Sequence, residues 1–262
     1  MFSVVSGANG EYNIGMDLGL FFRENNRAAV AFSGGVDSSY LLYAAAASGA
    51  DVTAYYARSQ FQPEFELEDA RAVAELAGAE MKVIDLDVLA DGTITSNPED
   101  RCYHCKLRIM GSIIREASAD GYGLIIDGTN ASDDTDDRPG TRALRELGVR
   151  SPLRECGITK DEVRRLSREA GLPVWDKPAY ACLATRIPYG EEITAEKLVR
   201  TERAETIMSE MGFRDFRVRM RGDKALIQVP ADQYDKASGE MEEIRKRLSG
   251  MYSRVDLDSV TR

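Results

Sequence analysis

Seven consecutive residues, Ser33-Gly34-Gly35-Val36-Asp37-Ser38-Ser39, constrain this chain more than any others. They follow a short apolar run at 28–32 that reads as a buried strand. They open a helical stretch at 38–48, built on Tyr40, Leu41, Leu42, Tyr43 and a run of alanines and stopped by Gly49. A strand, a glycine turn and a helix start together aim backbone amides and the positive end of a helix at one point, where an anion can sit. Gly34 and Gly35 let the main chain come close to that anion, and Ser33, Ser38 and Ser39 add hydroxyl donors. Asp37 is a poor phosphate contact by itself and suits holding Mg2+ or orienting the loop. The lysine of a Walker A loop is missing, so the turn is not that of a standard P-loop NTPase.

The segments around this turn alternate. Residues 51–57 and 81–86 read as strands, with a charged, Ala- and Leu-rich helix at 64–77 between them that Gly78 ends. A helix at 105–119 and a strand at 124–126 come next, then a polar loop at 127–138. Thr159-Lys160-Asp161-Glu162 is a capping box, starting a helix that runs to about 170. A leading helix is expected at 11–26. Strands alternating with helices imply an α/β fold, a parallel sheet covered by helices. Past about 172 the pattern changes, and Pro173, Pro178 and Pro188 punctuate an irregular stretch. A helix at 195–211, strands at 216–220 and 225–229 joined as a hairpin at Arg221-Gly222-Asp223, a helix at 231–248 and a strand at 252–257 make a small α+β unit. The expected division is an N-terminal domain over 1–175 and a C-terminal domain over 176–262.

Composition narrows the partners. The 262 residues carry 34 Lys and Arg against 44 Asp and Glu, a net charge of −10. That balance argues against a general grip on a phosphate backbone, and no stable nucleic-acid partner is expected. No apolar run reaches the ~20 residues that cross a bilayer, and the first residues lack the pattern of a secretion signal, so the expected location is the cytoplasm with no membrane partner. Four cysteines in a chain of this size do not form a disulfide scaffold. Cys102 and Cys105 flank His104, and Cys182 lies far along the chain. Two thiols three apart plus a distant third can ligate a metal or cluster. Half a zinc site, a redox disulfide and unrelated thiols are the other readings of the pair. Cys156 reads as a plain buried or solvent-near thiol, and His104 as structural or pocket-lining.

The Ser-Gly-Gly-Val-Asp-Ser-Ser turn resembles the signature of the PP-loop ATP pyrophosphatases, which bind ATP, pass AMP to an oxygen of the substrate and release pyrophosphate. Ser59 falls where such enzymes often contact the nucleotide. Further motifs sharpen the resemblance: Arg101-Cys102-Tyr103-x-Cys105-Lys106, Asp127-Gly128-Thr129-Asn130-Ala-Ser-Asp133, Asp137-Arg138-Pro-Gly140, Ser151-Pro-Leu153, Pro178-x-x-x-Cys182-Leu-Ala-x-Arg186-Ile-Pro-Tyr-Gly190 and Arg217-Val-Arg219. Over about residues 12–257 the chain resembles the LarE family. That resemblance implies adenylation of a carboxylate of pyridinium-3,5-biscarboxylic acid mononucleotide and its conversion to a thiocarboxylate, on the way to the nickel-pincer cofactor of lactate racemase. It implies ATP and Mg2+ held at Ser33, Gly34, Gly35, Asp37, Ser38, Ser39, Ser59 and Gly128, and Asp37 and Cys182 as catalytic groups. Arg186, Arg217 and Arg219 would hold the phosphate of this small nucleotide substrate. Lys106, Asp133 and Arg138 would organise the charged intermediate.

Two sulfur chemistries occur in that family. In one, a single cysteine at the position of Cys182 attacks the acyl-adenylate and gives up its own sulfur, leaving dehydroalanine. In the other, three cysteines bind a 4Fe–4S cluster that carries the sulfide, and a sulfide donor recharges it. Cys102, Cys105 and Cys182 together resemble the cluster type. The family also implies a homo-oligomer. A tRNA thiolase, an ammonia-using synthetase and a nucleotide-binding module without catalysis are the competing readings. The acidic balance counts against the first, and the cysteine triad has no use in the second.

Overall fold

The computed structural model describes residues 17–133 and 139–261. Seven strands are present among them: β1 (Arg27–Phe32), β2 (Asp51–Ser59), β3 (Glu80–Leu86), β4 (Ile125–Asp127), β5 (Arg217–Arg221), β6 (Lys224–Gln228) and β7 (Arg254–Leu257). The first four form one sheet in the order β3-β2-β1-β4, with every pairing parallel. Alternation along β1 explains why both faces must be covered. Ala28, Val30 and Phe32 pack with Leu41, Leu42 and Ala45 of the helix Val36–Ala47 and with Val73 of the helix Glu64–Ala77. Ala29 and Ala31 point the other way, into a cluster with Met110, Ile113 and Ala117 of the helix Arg101–Ala119. A parallel sheet with helices on both faces buries nearly every strand residue, and β2 shows it, with only its first and eighth residues exposed.

The expected elements are present with shifted ends. The leading helix is described over Leu18–Glu24, and residues 11–16 lie outside the described residues, as does Arg138. Thr159 caps its helix as expected: its hydroxyl accepts from the Glu162 amide at 3.4 Å and opens the helix Lys160–Glu169. Two expectations are corrected. The helix read as starting at Cys105 starts at Arg101, so both Cys102 and Cys105 are helical. The helix read over 231–248 is two, Tyr234–Gly239 and Met241–Leu248, because Gly239 is a poor helix former at the break. A helix that the polar sequence hid, Pro139–Glu146, packs beside Arg101–Ala119.

The second sheet has the order β5-β6-β7. β5 and β6 are the expected hairpin, turning at Gly222 (φ 63°) and Asp223, and β7 pairs parallel to β6. Its core joins Val218, Met220, Ile227 and Ile244 to Phe61, Val88 and Ile94 from the first half of the chain. That shared core, together with the hydrogen bond from Leu183 N to Phe61 O at 2.9 Å, fixes the segment carrying Cys182 against the end of the large sheet.

Candidate active site

β1 and β4 are neighbours in the sheet although two strands separate them in sequence. The chain leaves β1 toward β2 on one side, and β4 lies on the other. In open parallel sheets that change of direction leaves a crevice at the carboxyl ends of the two strands. Both glycine turns of the sequence reading sit there. Gly34 has φ 71°, and a Cβ on it would lie 2.9 Å from the Cβ of Ala70, so only glycine lets the turn tuck beneath the helix Glu64–Ala77. A Cβ on Gly128, after β4, would lie 2.6 Å from the amide nitrogen of Ser38. The backbone of one turn therefore rests on the first turn of the helix Val36–Ala47.

Serines hold the loop in shape. The Ser38 hydroxyl accepts from Ser33 N at 3.3 Å, donates to Gly35 O at 3.2 Å and lies 3.1 Å from the Ser33 hydroxyl. Ser39 departs from its expected role. It is fully buried, lines neither cavity of this site, and its hydroxyl has no partner among the described residues. Ser59 also turns away from the cavity at the glycine turn. Its hydroxyl donates to Gln62 Oε1 at 2.6 Å, and Gln62, not Ser59, reaches the cavity wall.

The main cavity measures roughly 340 Å3 and brings Ser33, Gly35, Asp37, Glu66, Lys160 and Cys182 onto one wall system. A recess of roughly 200 Å3 shares Ser33, Gly35, Asp37 and Lys106 with it and ends at Gly128, Thr129 and Asp133. Asp37 is oriented from both sides: Lys160 Nζ donates to Oδ2 at 2.5 Å and Asn130 Nδ2 donates to Oδ1 at 3.2 Å. The Asp133 carboxylate accepts from Asn130 N at 3.0 Å and so shapes the loop that aims Asn130. Lys160 was read only as part of a helix cap, yet it stands beside the loop that lacks a lysine of its own. Lys106 and Lys177 also line the cavity, Lys177 with its Nζ donating to Asp69 Oδ2 at 2.7 Å, so three lysines stand around a space bounded by a phosphate-type turn. The capping box was the available signal for Lys160, because a cap places the next residue at the N-terminal end of its helix.

Asp37 suits Mg2+ as well. This cation is commonly held by one or two carboxylates and the phosphates it bridges, without an all-protein cage, and Asp37 supplies a carboxylate on the cavity wall. Glu66 is a further residue the sequence did not single out. Burial pushes its carboxyl up to about 7, against the pull of Lys177. A neutral carboxyl can donate a hydrogen bond to an anion that a carboxylate would repel.

Cys102 and Cys105 lie in the first turns of the helix Arg101–Ala119, at a spacing that puts them on one face. Cys182 caps the short 3-10 turn Leu183–Arg186. Burial pushes the Cys105 thiol up to about 12, and the neighbouring Cys182 and Cys102 push it the same way. Burial raises Cys182 too, and Arg101 opposes that rise. The three thiols thus share one electrostatic neighbourhood, and all are free. Among the described residues, however, no three His, Cys, Asp or Glu side chains form a group that could hold a metal ion. A single zinc ion needs its sulfur ligands about 2.3 Å from one point, so the half-zinc reading loses ground. His104 pairs with Asp100 at 3.2 Å, and Cys156 packs into the core on the far side of the sheet.

The three arginines expected on a phosphate brace the Cys182 segment. Arg217 donates to Ala179 O at 2.6 Å, Arg186 to Ala181 O at 3.1 Å and Arg219 to Thr185 O at 3.1 Å. Arg186 is 1% exposed and makes an ion pair with Glu205 at 2.6 Å, so it offers no face to a ligand, contrary to the expectation for it. Its partner Glu205 also accepts from the Tyr180 hydroxyl and the Val218 amide. Arg219 is less buried and donates to Gln228 Oε1 at 2.5 Å, and Arg217 lines a neighbouring groove with Tyr180 and Lys177.

Residues 27–111 match the family described as queuosine biosynthesis protein QueC. The chain is 36% identical over 210 residues to the pyridinium-3,5-bisthiocarboxylic acid mononucleotide synthase of Lactiplantibacillus plantarum, covering 79% of this chain and 76% of that protein. It is 41% identical over 244 residues to an uncharacterized protein of Synechocystis sp., covering 91% of each. An uncharacterized protein of Methanocaldococcus jannaschii is 30% identical over 225 residues, covering 86% of each.

Proposed function

The chain belongs to the LarE family of PP-loop proteins, and on that premise we propose that it is an ATP-dependent sulfurtransferase acting on a carboxylate of pyridinium-3,5-biscarboxylic acid mononucleotide. One observation carries the reading: the glycine turn that suits ATP and the Cys182 thiol line the same cavity. An enzyme that activates an oxygen and then replaces it with sulfur needs both within reach of one carbon.

In the first half-reaction a substrate carboxylate oxygen attacks the α-phosphorus of ATP. The bond to the bridging oxygen breaks, and pyrophosphate leaves. Ser33, Gly35 and the first amides of the helix Val36–Ala47 receive the departing phosphates, and Lys160, Lys106 and Lys177 offset their charge. Asp37 would hold Mg2+, which would offset phosphate charge there. In the second half-reaction sulfur adds to the activated carbonyl carbon, and AMP leaves with the oxygen. Arg217 and Arg219 brace the Cys182 segment, and the groove that Arg217 lines beside Tyr180 and Lys177 is the place for the substrate's own phosphate.

Cys102, Cys105 and Cys182 are the soft donors an iron–sulfur cluster takes, and Cys105 feels both of the other thiols. Cys102, Cys105 and Cys182 would hold such a cluster, and it would supply sulfide in repeated turnovers. A second reading has support of its own. Of the three thiols, Cys182 alone lines the main cavity, the arrangement a sacrificial cysteine requires. Anaerobic purification with iron and sulfide assays, followed by counting thiocarboxylate per chain, separates them. Bound iron with several sulfurs per chain supports the cluster, and no iron with at most one supports the sacrificial route. Absence of ATP-dependent thiocarboxylate under both conditions overturns the proposed function.

A further inference from the structure

Asn97 and Arg101 make a set of contacts that neither the nucleotide site nor the arginine braces explain. Asn97 is fully buried and takes the left-handed backbone conformation (φ 56°), uncommon for a residue other than glycine. Its side-chain amide donates to Pro188 O at 2.7 Å, Glu191 O at 3.1 Å and Ile187 O at 3.4 Å. Its own carbonyl accepts from Gly190 N at 2.9 Å, and nearby Thr95 O accepts from Ile193 N at 2.8 Å. Arg101 is 1% exposed. It donates to Asn97 Oδ1 at 2.5 Å and to Ala184 O at 3.1 Å, and its other terminal nitrogen lies 3.8 Å from Cys102 Sγ. Its guanidinium also sits 5.6 Å from the centre of the Tyr189 ring.

Two features set this apart from ordinary loop packing. The Asn97, Thr95 and Arg101–Ala184 contacts join the chain at and just before the start of the helix bearing Cys102 and Cys105 to the stretch just after Cys182. Arg101 is also a buried cation that no carboxylate pairs with among the described residues. Burying a charge is costly unless it is hydrogen-bonded, and Arg101 directs its donors to Asn97 Oδ1 on one side of the joint and Ala184 O on the other.

We propose that Asn97 and Arg101 are positioning residues, a latch that holds the Cys182 segment against the Cys102–Cys105 helix so that sulfur is delivered where the carboxylate is activated. The inference rests on the reading of Cys182 as the sulfur-delivering position. It places the latch in the second half-reaction only. ATP and the glycine turn lie outside its contacts, so adenylation does not need it.

The test uses the full chain and two variants. Asn97→Asp keeps an acceptor for Arg101 and loses the amide that holds three carbonyls. Arg101→Lys keeps the charge with fewer donors and should be the milder change. The readouts are substrate-dependent pyrophosphate release, thiocarboxylate formed per pyrophosphate, and the yield of Cys182 bridged to Cys102 or Cys105 by dibromobimane, mapped by mass spectrometry. In Asn97→Asp, pyrophosphate release should stay near wild type. The sulfur-to-pyrophosphate ratio should fall about 100-fold, the scale of a displacement near 1 Å, and the bridged species should fall with it. Arg101→Lys should recover part of both. An unchanged ratio and bridge yield in Asn97→Asp would overturn the latch, and so would a parallel loss of pyrophosphate release, which marks a general structural role. Wild type forming no thiocarboxylate would instead count against the proposed function, and the bridging yields would still judge the latch.

Discussion

Gly128→Ala makes the sharpest test of how the proposed nucleotide site is built. The new methyl would lie 2.6 Å from Ser38 N, 2.9 Å from Ser38 Cα and 3.0 Å from Asp37 C, all backbone atoms. Ordinary contact begins near 3.4 Å, so the two chains must part by roughly 0.8 Å. No side chain can rotate to absorb that. The strain falls on the first turn of the helix Val36–Ala47, whose Val36 and Asp37 line the cavity. Overpacking of this kind costs about 1–3 kcal/mol of stability. Moving the phosphate donors by most of an ångström should lower pyrophosphate release by about 10- to 100-fold. The measurements are a urea melt and a steady-state pyrophosphate assay on the same preparation. Gly111→Ala is the control, because a Cβ there meets nothing within 4 Å inside the helix Arg101–Ala119. It should gain up to about 1 kcal/mol from helix propensity and leave pyrophosphate release unchanged. Wild-type stability and activity in Gly128→Ala would refute the close approach of the two turns.

Three further outcomes follow from the site. Lys160→Ala leaves Asp37 facing the phosphates uncompensated, so the KM for ATP should rise by about tenfold, roughly the loss of one charge-assisted hydrogen bond; an unchanged KM would remove Lys160 from the site. Glu66→Gln tests a pH dependence whose sign is fixed: the folded carboxyl titrates near 7, above its unfolded value, so the folded state binds the extra proton and wild-type stability falls as pH rises from about 4.5 to 7. The glutamine variant should lack that fall and be the more stable protein at pH 8, by at most about 3 kcal/mol, in urea melts run at pH 5 and pH 8. Glu205→Ala strands Arg186, whose side chain is 1% exposed, without its counter-charge, and should cost about 3–5 kcal/mol in the same melt.

The large sheet was legible because parallel strands buried on both faces leave continuous apolar runs, and because the Ser-Gly-Gly turn marks where a strand hands over to a helix. Gly128 was named from its motif, but the reason for a glycine there became visible only when two turns distant in sequence met. The arginines show where sequence reasoning stops. Arg217 and Arg219 share a strand face as alternation requires, yet their partners are carbonyls of the Cys182 segment, and no local pattern announces those. Arg186 looked like a ligand because its charge was visible while Glu205, its buried partner, lay 19 positions away. Ser39 reads as a donor from the seven-residue motif and Ser59 from the position where the resembled family contacts the nucleotide, whereas their helix and strand positions turn one into the core and the other onto Gln62. Lys160 was missed for the converse reason: its cation enters from another helix, across the crevice, to stand where the loop has none.

The central claim is that carboxylate activation and sulfur delivery occur in one cavity, the first at the glycine turn and the second at Cys182. Its most direct test compares wild type with Cys182→Ala, incubated anaerobically with ATP, Mg2+ and pyridinium-3,5-biscarboxylic acid mononucleotide, with pyrophosphate and thiocarboxylate measured in the same tube. The account predicts substrate-dependent pyrophosphate from both proteins and thiocarboxylate from wild type alone. Thiocarboxylate formed undiminished by Cys182→Ala, or no pyrophosphate from wild type, would contradict it.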